Sequence, residues 1–442
     1  MHICVGYRPC PTFLSNLMVC SMSLQLIPAF SLSNNIRSLF IQQHESLPVI
    51  DGFRALSIIL IFMFHILYAG NIFFQQTLVA QLDTLPLFLT FFQFGFLGVD
   101  GFFMLSGFLI SLLIFKEYTT TGNIHLKRFY MRRFLRIIPA YFLVLAITIA
   151  LGFNGLFFAN MLFVNNFIPA PFQFMPWTWS LAIEMQYYIA LPILLMLLLS
   201  LKKKYACVSF MMIILISVIM LVVASLLASR ASLITTFPQL LSMGRESIAF
   251  FNWLYDKPYN AFLSIIPGII CAYLHFYKKQ NVAHFFKHHM LLSNALLIIN
   301  IFFVCSLLIY GPAILSQIIP LPLVLSLYRL LFSGSLAFIA LSTLHNSFFL
   351  SVIIAKALSV IPLKYIAKIS YSLFLLHPLI IFISIEFLAA GPAPMTEVTL
   401  LIKLCLISIP FSLLAATLCY LLIEKPIMNL REWCQTHTRN SK

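Results

Sequence analysis

Two ionisable side chains stand eleven residues apart in the first long apolar run of the sequence, the arginine Arg54 and the histidine His65. Eleven residues make close to three turns of an α-helix, so both side chains lie on nearly the same face. Their separation along the helix axis is about 16 Å, or half the thickness of the hydrocarbon core of a membrane. Ionisable groups at that depth are unfavourable, and they usually mark a water-filled path or a reaction site.

Three further titratable residues fall within apolar runs of the sequence. Asp100 lies midway along the second run, Glu184 opens the fourth, and His377 lies in the ninth. Together with His65 they exceed what ion pairing within one helical bundle requires. They favour a reaction site, although a proton-coupled transporter would carry a similar set.

Small polar side chains accompany these titratable residues. Ser180 and Tyr188 lie four residues on either side of Glu184, so the three form one polar stripe along a helix. Ser106 precedes Gly107, and such a small pair would allow the close approach of another helix or of a thin ligand. Ser106, Ser180 and Tyr188 are therefore candidates for substrate contacts.

The most basic segment of the chain spans residues 127–136, and the apolar pattern predicts it to be a cytoplasmic loop. Arg133 and Arg136 are three residues apart and would be neighbours on a helix face, with Arg132 beside them. The planar guanidinium group suits phosphate oxygens, and neighbouring aromatic rings can stack on a base. Membrane anchoring is the simpler use of such a segment. The pattern is nevertheless what a phosphorylated cytosolic cofactor would need.

The composition determines which elements must position these residues. The chain has 442 residues, of which 62% are hydrophobic and 9% charged, whereas soluble domains carry about 25% charged residues. The protein is therefore predicted to be a polytopic membrane protein. Its net charge of +15 is explained by basic cytoplasmic loops, so we expect no nucleic-acid partner. The nine cysteines form no zinc spacing and no phosphate-binding glycine motif occurs, so we expect no metal and no ATP-driven chemistry.

The distribution of lysine and arginine predicts the topology of the chain. With residue 51 in the cytoplasm, the cytoplasmic loops hold 19 positive residues and the outer loops hold 3, as the positive-inside rule requires. We therefore predict an all-α bundle of ten transmembrane helices with both termini in the cytoplasm. Residues 1–47 would be an N-terminal extension, either interfacial or the result of a start site assigned too early. The predicted spans are 52–73, 87–115, 137–153, 180–201, 206–228, 260–277, 289–311, 323–345, 369–389 and 399–422.

Six short motifs follow one another along the chain. They are Arg54 and His65 at their eleven-residue spacing, Phe102 to Leu109, Arg133 to Pro139, Trp179 to Glu184, Ser370 to His377, and Glu424 to Pro426. In type and order they resemble the membrane acyltransferase-three family, multi-pass bacterial enzymes that O-acylate surface polysaccharides. The resemblance covers residues 48–431, which would form the acyltransferase domain, with a cytoplasmic tail at 432–442.

Two features depart from the pattern of that family. The ninth-helix motif commonly has Tyr-Leu-Trp before its histidine, whereas this chain has Phe374-Leu-Leu. Many members also carry a C-terminal periplasmic esterase-like domain, and this chain ends shortly after the last motif. By the resemblance, it would complete the transfer itself or pass the acyl group to a periplasmic partner protein.

The resemblance implies the substrates and the location. Cytosolic acetyl-coenzyme A would be the acyl donor, and a hydroxyl of a cell-surface polysaccharide such as the lipopolysaccharide O-antigen would be the acceptor. The chain would lie in the bacterial inner membrane. The cofactor phosphates would be bound by Arg133, Arg136 and Arg132.

The resemblance also implies catalytic roles. His65 would act as the general base, or as a nucleophile that carries the acyl group. Arg54 would orient the thioester or add a phosphate contact, and Glu184 would orient the imidazole or bind the acceptor. Asp100 and His377 would assist. A transporter or flippase of a lipid-linked sugar is the alternative, which would use the same buried groups without acetyl-coenzyme A.

Overall fold

The computed structural model describes residues 30–40, 47–73, 91–200, 245–311, 321–390 and 397–430, with residue 315 and a few positions between 216 and 226. Within these residues every regular element is a helix. In chain order they include α1 (Leu32–Phe40), α2 (Pro48–Phe73), α3 (Gly98–Thr121), α4 (Leu126–Ala150), α5 (Phe157–Met161), α6 (Trp179–Ser200), α7 (Arg245–Phe250), α8 (Pro258–Tyr277), α9 (Lys279–His288), α10 (Met290–Tyr310), α11 (Leu321–His345), α12 (Phe349–Leu358), α13 (Ile361–Ala389) and α14 (Glu397–Cys419).

Nine helices in the described part of the chain are long and apolar enough to cross a membrane, namely α2, α3, α4, α6, α8, α10, α11, α13 and α14. Each corresponds to one of the predicted spans, so the prediction of an all-α membrane bundle is confirmed. Most of the predicted span at 206–228 lies outside the described residues. So does most of the predicted N-terminal extension, of which α1 is described.

Helices α3 and α8 pack together unusually closely because glycines line their contact. A Cβ atom on Gly268 would lie 2.0 Å from the carbonyl oxygen of Met104, and one on Gly107 would lie 2.4 Å from that of Ile265. Small residues let helix backbones approach in this way, which is how membrane helices gain packing energy without a hydrophobic driving force. The Ser106-Gly107 pair was predicted to allow the close approach of either a helix or a thin ligand. Gly107 serves the packing of a helix.

The ends of several helices meet at one end of the bundle, which we call the basic end. Gly52, near the start of α2, packs against the backbone of Leu358 at the end of α12. The ring of Tyr277, at the end of α8, lies 5.2 Å from that of Phe115 near the end of α3. The hydroxyl of Tyr118 donates to the carbonyl of Leu199, near the end of α6. The basic residues of these helix ends therefore share one face of the bundle.

The basic segment at 127–136 is helical, so its prediction as a loop was wrong. Helix α4 begins at Leu126 and runs without interruption through Pro139 into the apolar run. Arginine and lysine are strong helix formers, and their long stems can cover apolar surface while the charges reach a polar environment. The helix therefore extends beyond the apolar run on which the prediction rested.

Asp100 lies in the first turn of α3. The sequence had suggested a position midway along the second apolar run. A 3-10 turn at Gly95–Leu97 precedes the helix. A carboxylate is favoured near a helix N-terminus because the backbone N–H groups there carry a partial positive charge.

Candidate active site

An inner cavity of about 100 Å³ lies between α2, α3, α4, α6 and α13, below the basic end of the bundle. Its walls are apolar apart from a group of polar side chains that face one another across it. Seven of the eleven site residues predicted from the sequence are among them. The polar lining residues are Arg54, Ser106, Arg133, Arg136, Ser180, Glu184, Tyr188, Ser370 and Tyr371.

Glu184 is the acidic centre of the inner cavity. One carboxylate oxygen, Oε1, accepts hydrogen bonds from the Ser106 hydroxyl at 2.7 Å and from the Tyr188 hydroxyl. The guanidinium of Arg133 lies over the Tyr188 ring, 5.3 Å from its centroid, and 5.6 Å from that of Phe129. The polar stripe predicted on α6 therefore faces the cavity, where it is held against the arginines of α4.

A wider groove of about 530 Å³, which we call the mouth, opens at the basic end. Arg54 and Leu109 line both the mouth and the inner cavity, so the two spaces are adjacent. Arg54 also pairs with Asp51, at 3.6 Å. The charged lining residues of the mouth are Asp51, Arg54, Lys116, Glu117, Arg128 and Arg132.

Arg132 is separated from the two arginines with which it was predicted to act. It lines the mouth, whereas Arg133 and Arg136 line the inner cavity. Adjacent residues of an α-helix point about 100° apart, because 3.6 residues complete one turn. Neighbouring arginines on one helix therefore line two different spaces.

His65 and His377 form a pair of imidazoles on the side of the bundle beyond Phe374. The Nε2 atom of His377 lies 3.2 Å from Nδ1 of His65, and the ring planes are inclined at 69°. His377 is fully buried, and His65 is partly exposed. Phe374 lines the inner cavity, and its ring centroid lies 6.2 Å from that of His377. The pair therefore adjoins the inner cavity without lining it.

A model of a protein family described as an acyltransferase domain matches residues 47–417. The chain belongs to this acyltransferase family. The resemblance inferred from the six motifs is confirmed, and residues of five of those motifs line the inner cavity. Within the described ranges, no three His, Cys, Asp or Glu side chains are grouped so that they could hold a metal ion.

Several named proteins share sequence with this family member. The O-acetyltransferase OatA of Staphylococcus aureus strain NCTC 8325 is 26% identical over 411 residues, which cover 86% of this chain and 57% of that protein. A provisionally named O-acetyltransferase of Staphylococcus aureus strain COL is 34% identical over 180 residues, 36% of this chain and 26% of its own length.

A third relative carries a more specific name. The peptidoglycan O-acetyltransferase OatA of Listeria monocytogenes is 27% identical over 173 residues, 34% of this chain and 24% of its own length. The chain thus spans 57% or less of the length of these three relatives. No solved structure matches the chain.

The contacts of Glu184 in this family member do not include His65. Glu184 binds Ser106 and Tyr188, whereas the ring of His65 contacts the carbonyl of Ile61 and the ring of His377. One role predicted for Glu184 was to orient the imidazole. Within the described residues, no contact of Glu184 with that imidazole supports this role. Binding of a substrate in the inner cavity stays a prediction.

Asp100 is buried in an ion pair with Arg329 and does not line the inner cavity. Both side chains are fully buried, and Nε of Arg329 lies 2.6 Å from Oδ1 of Asp100. The Ser264 hydroxyl donates to the same oxygen at 2.6 Å, and Nη1 of Arg329 donates to the carbonyl of Tyr255 at 3.0 Å. The pair joins α3, α8 and α11, which makes it a structural contact of the bundle.

Arg329 and Glu424 are buried ionisable residues that the sequence patterns did not single out. Arg329 interrupts the eighth apolar run, and a charged residue within such a run is itself a signal that it has a partner. Glu424 belongs to the last motif but was not considered as a buried carboxylate. It lies at the end of a π-turn (Tyr420–Glu424), where it accepts a hydrogen bond from the Ser372 hydroxyl.

Proposed function

We propose that the chain transfers a short acyl group, acetyl by default, from acyl-coenzyme A to a hydroxyl group of a cell-surface glycan. The observation that carries this proposal is the adjacency of three features: the basic mouth and the inner cavity share Arg54 and Leu109, and Phe374 on the wall of the inner cavity packs against His377. Family membership and the names of the relatives support O-acetyl transfer as the reaction.

The charges of the mouth and of the inner cavity suit a coenzyme A thioester. The mouth carries four cationic side chains against two acidic ones, and cationic hydrogen-bond donors are the usual ligands of phosphate oxygens. The narrow inner cavity would take the pantetheine arm, with Arg133 and Arg136 close to its polar groups. The mouth is therefore the proposed phosphate site, with Lys116, Arg128 and Arg132 as its principal cations, while Arg133 and Arg136 would contact the pantetheine arm.

We expect the acyl group to pass directly from the coenzyme A sulfur to the hydroxyl oxygen of the acceptor. The acceptor hydroxyl loses its proton to Nε2 of His65 as its oxygen attacks the thioester carbonyl carbon. The carbon–sulfur bond then breaks, and coenzyme A leaves as the thiol with that proton. An acyl-imidazole on His65 is the two-step variant of the same reaction.

The basic end would face the cytoplasm, because lysine and arginine accumulate on that side of bacterial membranes. The mouth would then open to cytosolic acyl-coenzyme A, and the histidine pair would lie toward the outer leaflet. We accordingly propose an inner-membrane location. The acceptor hydroxyl would belong to the glycan itself or to a periplasmic partner protein that carries the acyl group onward. Lipopolysaccharide is one such glycan, and the name of the Listeria relative adds peptidoglycan to the candidates.

Removing the two inner arginines is expected to weaken the binding of acetyl-coenzyme A. Each charge-assisted hydrogen bond is worth about 1.5–3 kcal/mol, so the Arg133→Ala, Arg136→Ala double variant should raise the Kd by roughly tenfold or more. The measurement is the titration of the purified protein with acetyl-coenzyme A at fixed ionic strength.

A matched control removes two positive charges from the same end without touching either cavity. Lys127 and Lys356 are exposed and line neither the mouth nor the inner cavity. The Lys127→Ala, Lys356→Ala variant should bind acetyl-coenzyme A as the wild type does. Equal affinities for the two double variants would indicate that Arg133 and Arg136 act only as membrane anchors. Transport of a lipid-linked sugar into vesicles without acetyl-coenzyme A would favour the flippase alternative.

A further inference from the structure

Each ring of the histidine pair is oriented by a backbone carbonyl oxygen. Nδ1 of His65 lies 2.8 Å from the carbonyl oxygen of Ile61, and Nδ1 of His377 lies 2.8 Å from that of Leu373. A carbonyl oxygen can only accept a hydrogen bond, so Nδ1 of each ring must carry the proton. In the neutral rings the lone pair is therefore on Nε2.

The lone pair of His377 faces the N–H group of His65. His377 Nε2 lies 3.2 Å from His65 Nδ1, so the His65 proton is shared between Ile61 and His377. The rings of Phe62 and Phe374 pack around His377 at centroid distances of 5.3 and 6.2 Å. His377 is thus an acceptor held in place by packing. The opposite nitrogen of His65, Nε2, is directed away from the pair.

We propose that His377 is a positioning residue for acyl transfer, which fixes the tautomer of His65 and stabilises the imidazolium that His65 forms. This inference rests on the function proposed above. When His65 Nε2 takes the hydroxyl proton, the ring becomes positive and its Nδ1–H becomes a stronger donor. The hydrogen bond to His377 Nε2 then strengthens, since charge-assisted bonds exceed neutral ones about twofold. The proton on Nε2 leaves with the coenzyme A sulfur, and the pair returns to its starting state.

A neutral partner suits this position within the bundle. In serine hydrolases a buried aspartate orients the histidine and stabilises its cationic form. A carboxylate at membrane depth would be a second buried charge, and removing such a charge from water is unfavourable unless it is fully paired. An imidazole supplies the acceptor without carrying a charge in the resting state.

Three substitutions at one position test the proposal. Glutamine can place an acceptor oxygen near the site of His377 Nε2, whereas leucine cannot accept and asparagine is too short to reach. We expect His377→Leu and His377→Asn to lower kcat by roughly tenfold or more, with KM for acetyl-coenzyme A unchanged. His377→Gln should recover most of that loss. The readout is coenzyme A release from acetyl-coenzyme A in membranes that contain the cell's own envelope glycans.

A second pair of histidines provides the matched control. The rings of His275 and His345 lie 5.5 Å apart on α8 and α11, and neither residue lines the inner cavity or the mouth. The His275→Leu variant should keep the wild-type kcat. It measures the effect of losing one partly buried histidine from an aromatic pair in the same protein.

The outcomes separate this inference from the proposed function. Equal kcat values for His377→Gln and His377→Leu would overturn the acceptor role, and so would a loss of acetyl-coenzyme A binding that accompanies the loss of kcat in all three variants. An inactive His65→Ala variant beside a fully active His377→Leu variant would overturn the positioning role alone. An active His65→Ala variant would instead overturn the proposed mechanism.

Discussion

Replacement of His65 by alanine is expected to lower acyl transfer by roughly 10²- to 10⁴-fold, the range over which general acid–base catalysis contributes. The substitution removes the Nε2 lone pair that would take the hydroxyl proton. It leaves the cavity untouched, because His65 does not line it. The protein should therefore still insert into the membrane and bind acetyl-coenzyme A. Mass analysis of surface polysaccharides, from cells in which the variant replaces the gene, measures the acetyl groups that are transferred.

The control for this prediction is the His275→Ala variant, which removes an imidazole from another aromatic pair of the bundle. It should acetylate surface glycans as the wild type does. Near-normal acetylation by His65→Ala, at equal protein level, would remove His65 from the mechanism and with it the direct and the acyl-imidazole routes.

Replacement of Arg329 by methionine is expected to lower the free energy of unfolding by roughly 3–5 kcal/mol. Asp100 would keep its charge in a fully buried site with only the Ser264 hydroxyl as a donor among the contacts described. The positive charge of Arg329 also lies near aromatic rings, 5.1 Å from the centroid of Tyr255, so several helices lose a contact at once. Thermal unfolding of the purified protein in detergent measures the effect.

A double variant distinguishes the ion pair from simple loss of volume. Replacing Asp100 by leucine together with Arg329→Met removes both charges, and a buried pair replaced by apolar residues is often neutral or stabilising. We expect this variant to recover most of the lost stability. Lys127→Met, at an exposed position, should change stability by less than about 0.5 kcal/mol. A single Arg329→Met variant that melts with the wild type would contradict the structural role.

The hydropathy of the sequence was sufficient to predict the helical membrane fold. About 20 apolar residues in succession must form a helix in lipid, because only a helix satisfies its own backbone hydrogen bonds there. Element boundaries were less certain where charged residues continue a helix. Helix α4 begins at Leu126, whereas the apolar pattern alone placed the start of that span at residue 137.

The sequence predicted most residues of the candidate site but not how they are arranged in space. The motif residues Arg54, Arg133 and Glu184 were identified from type and spacing, and all three line one cavity. Arg132 was grouped with Arg133 because the two are adjacent in sequence, whereas helix geometry directs them into different spaces. Arg329 was not predicted, because its acidic partner Asp100 is 229 residues away in the sequence and no local pattern links the two.

The sequence by itself determined that this protein is an all-α membrane protein of the acyltransferase family, with arginine and histidine side chains within its apolar helices. Those properties depend on local composition and on spacing within single helices. Only the tertiary structure decided that His65 meets His377, 312 residues away, and that Asp100 meets Arg329, 229 residues away. Such contacts depend on the rotation and depth at which helices pack, and these are set by close approaches such as that between Gly268 and Met104. No single helix carries that information.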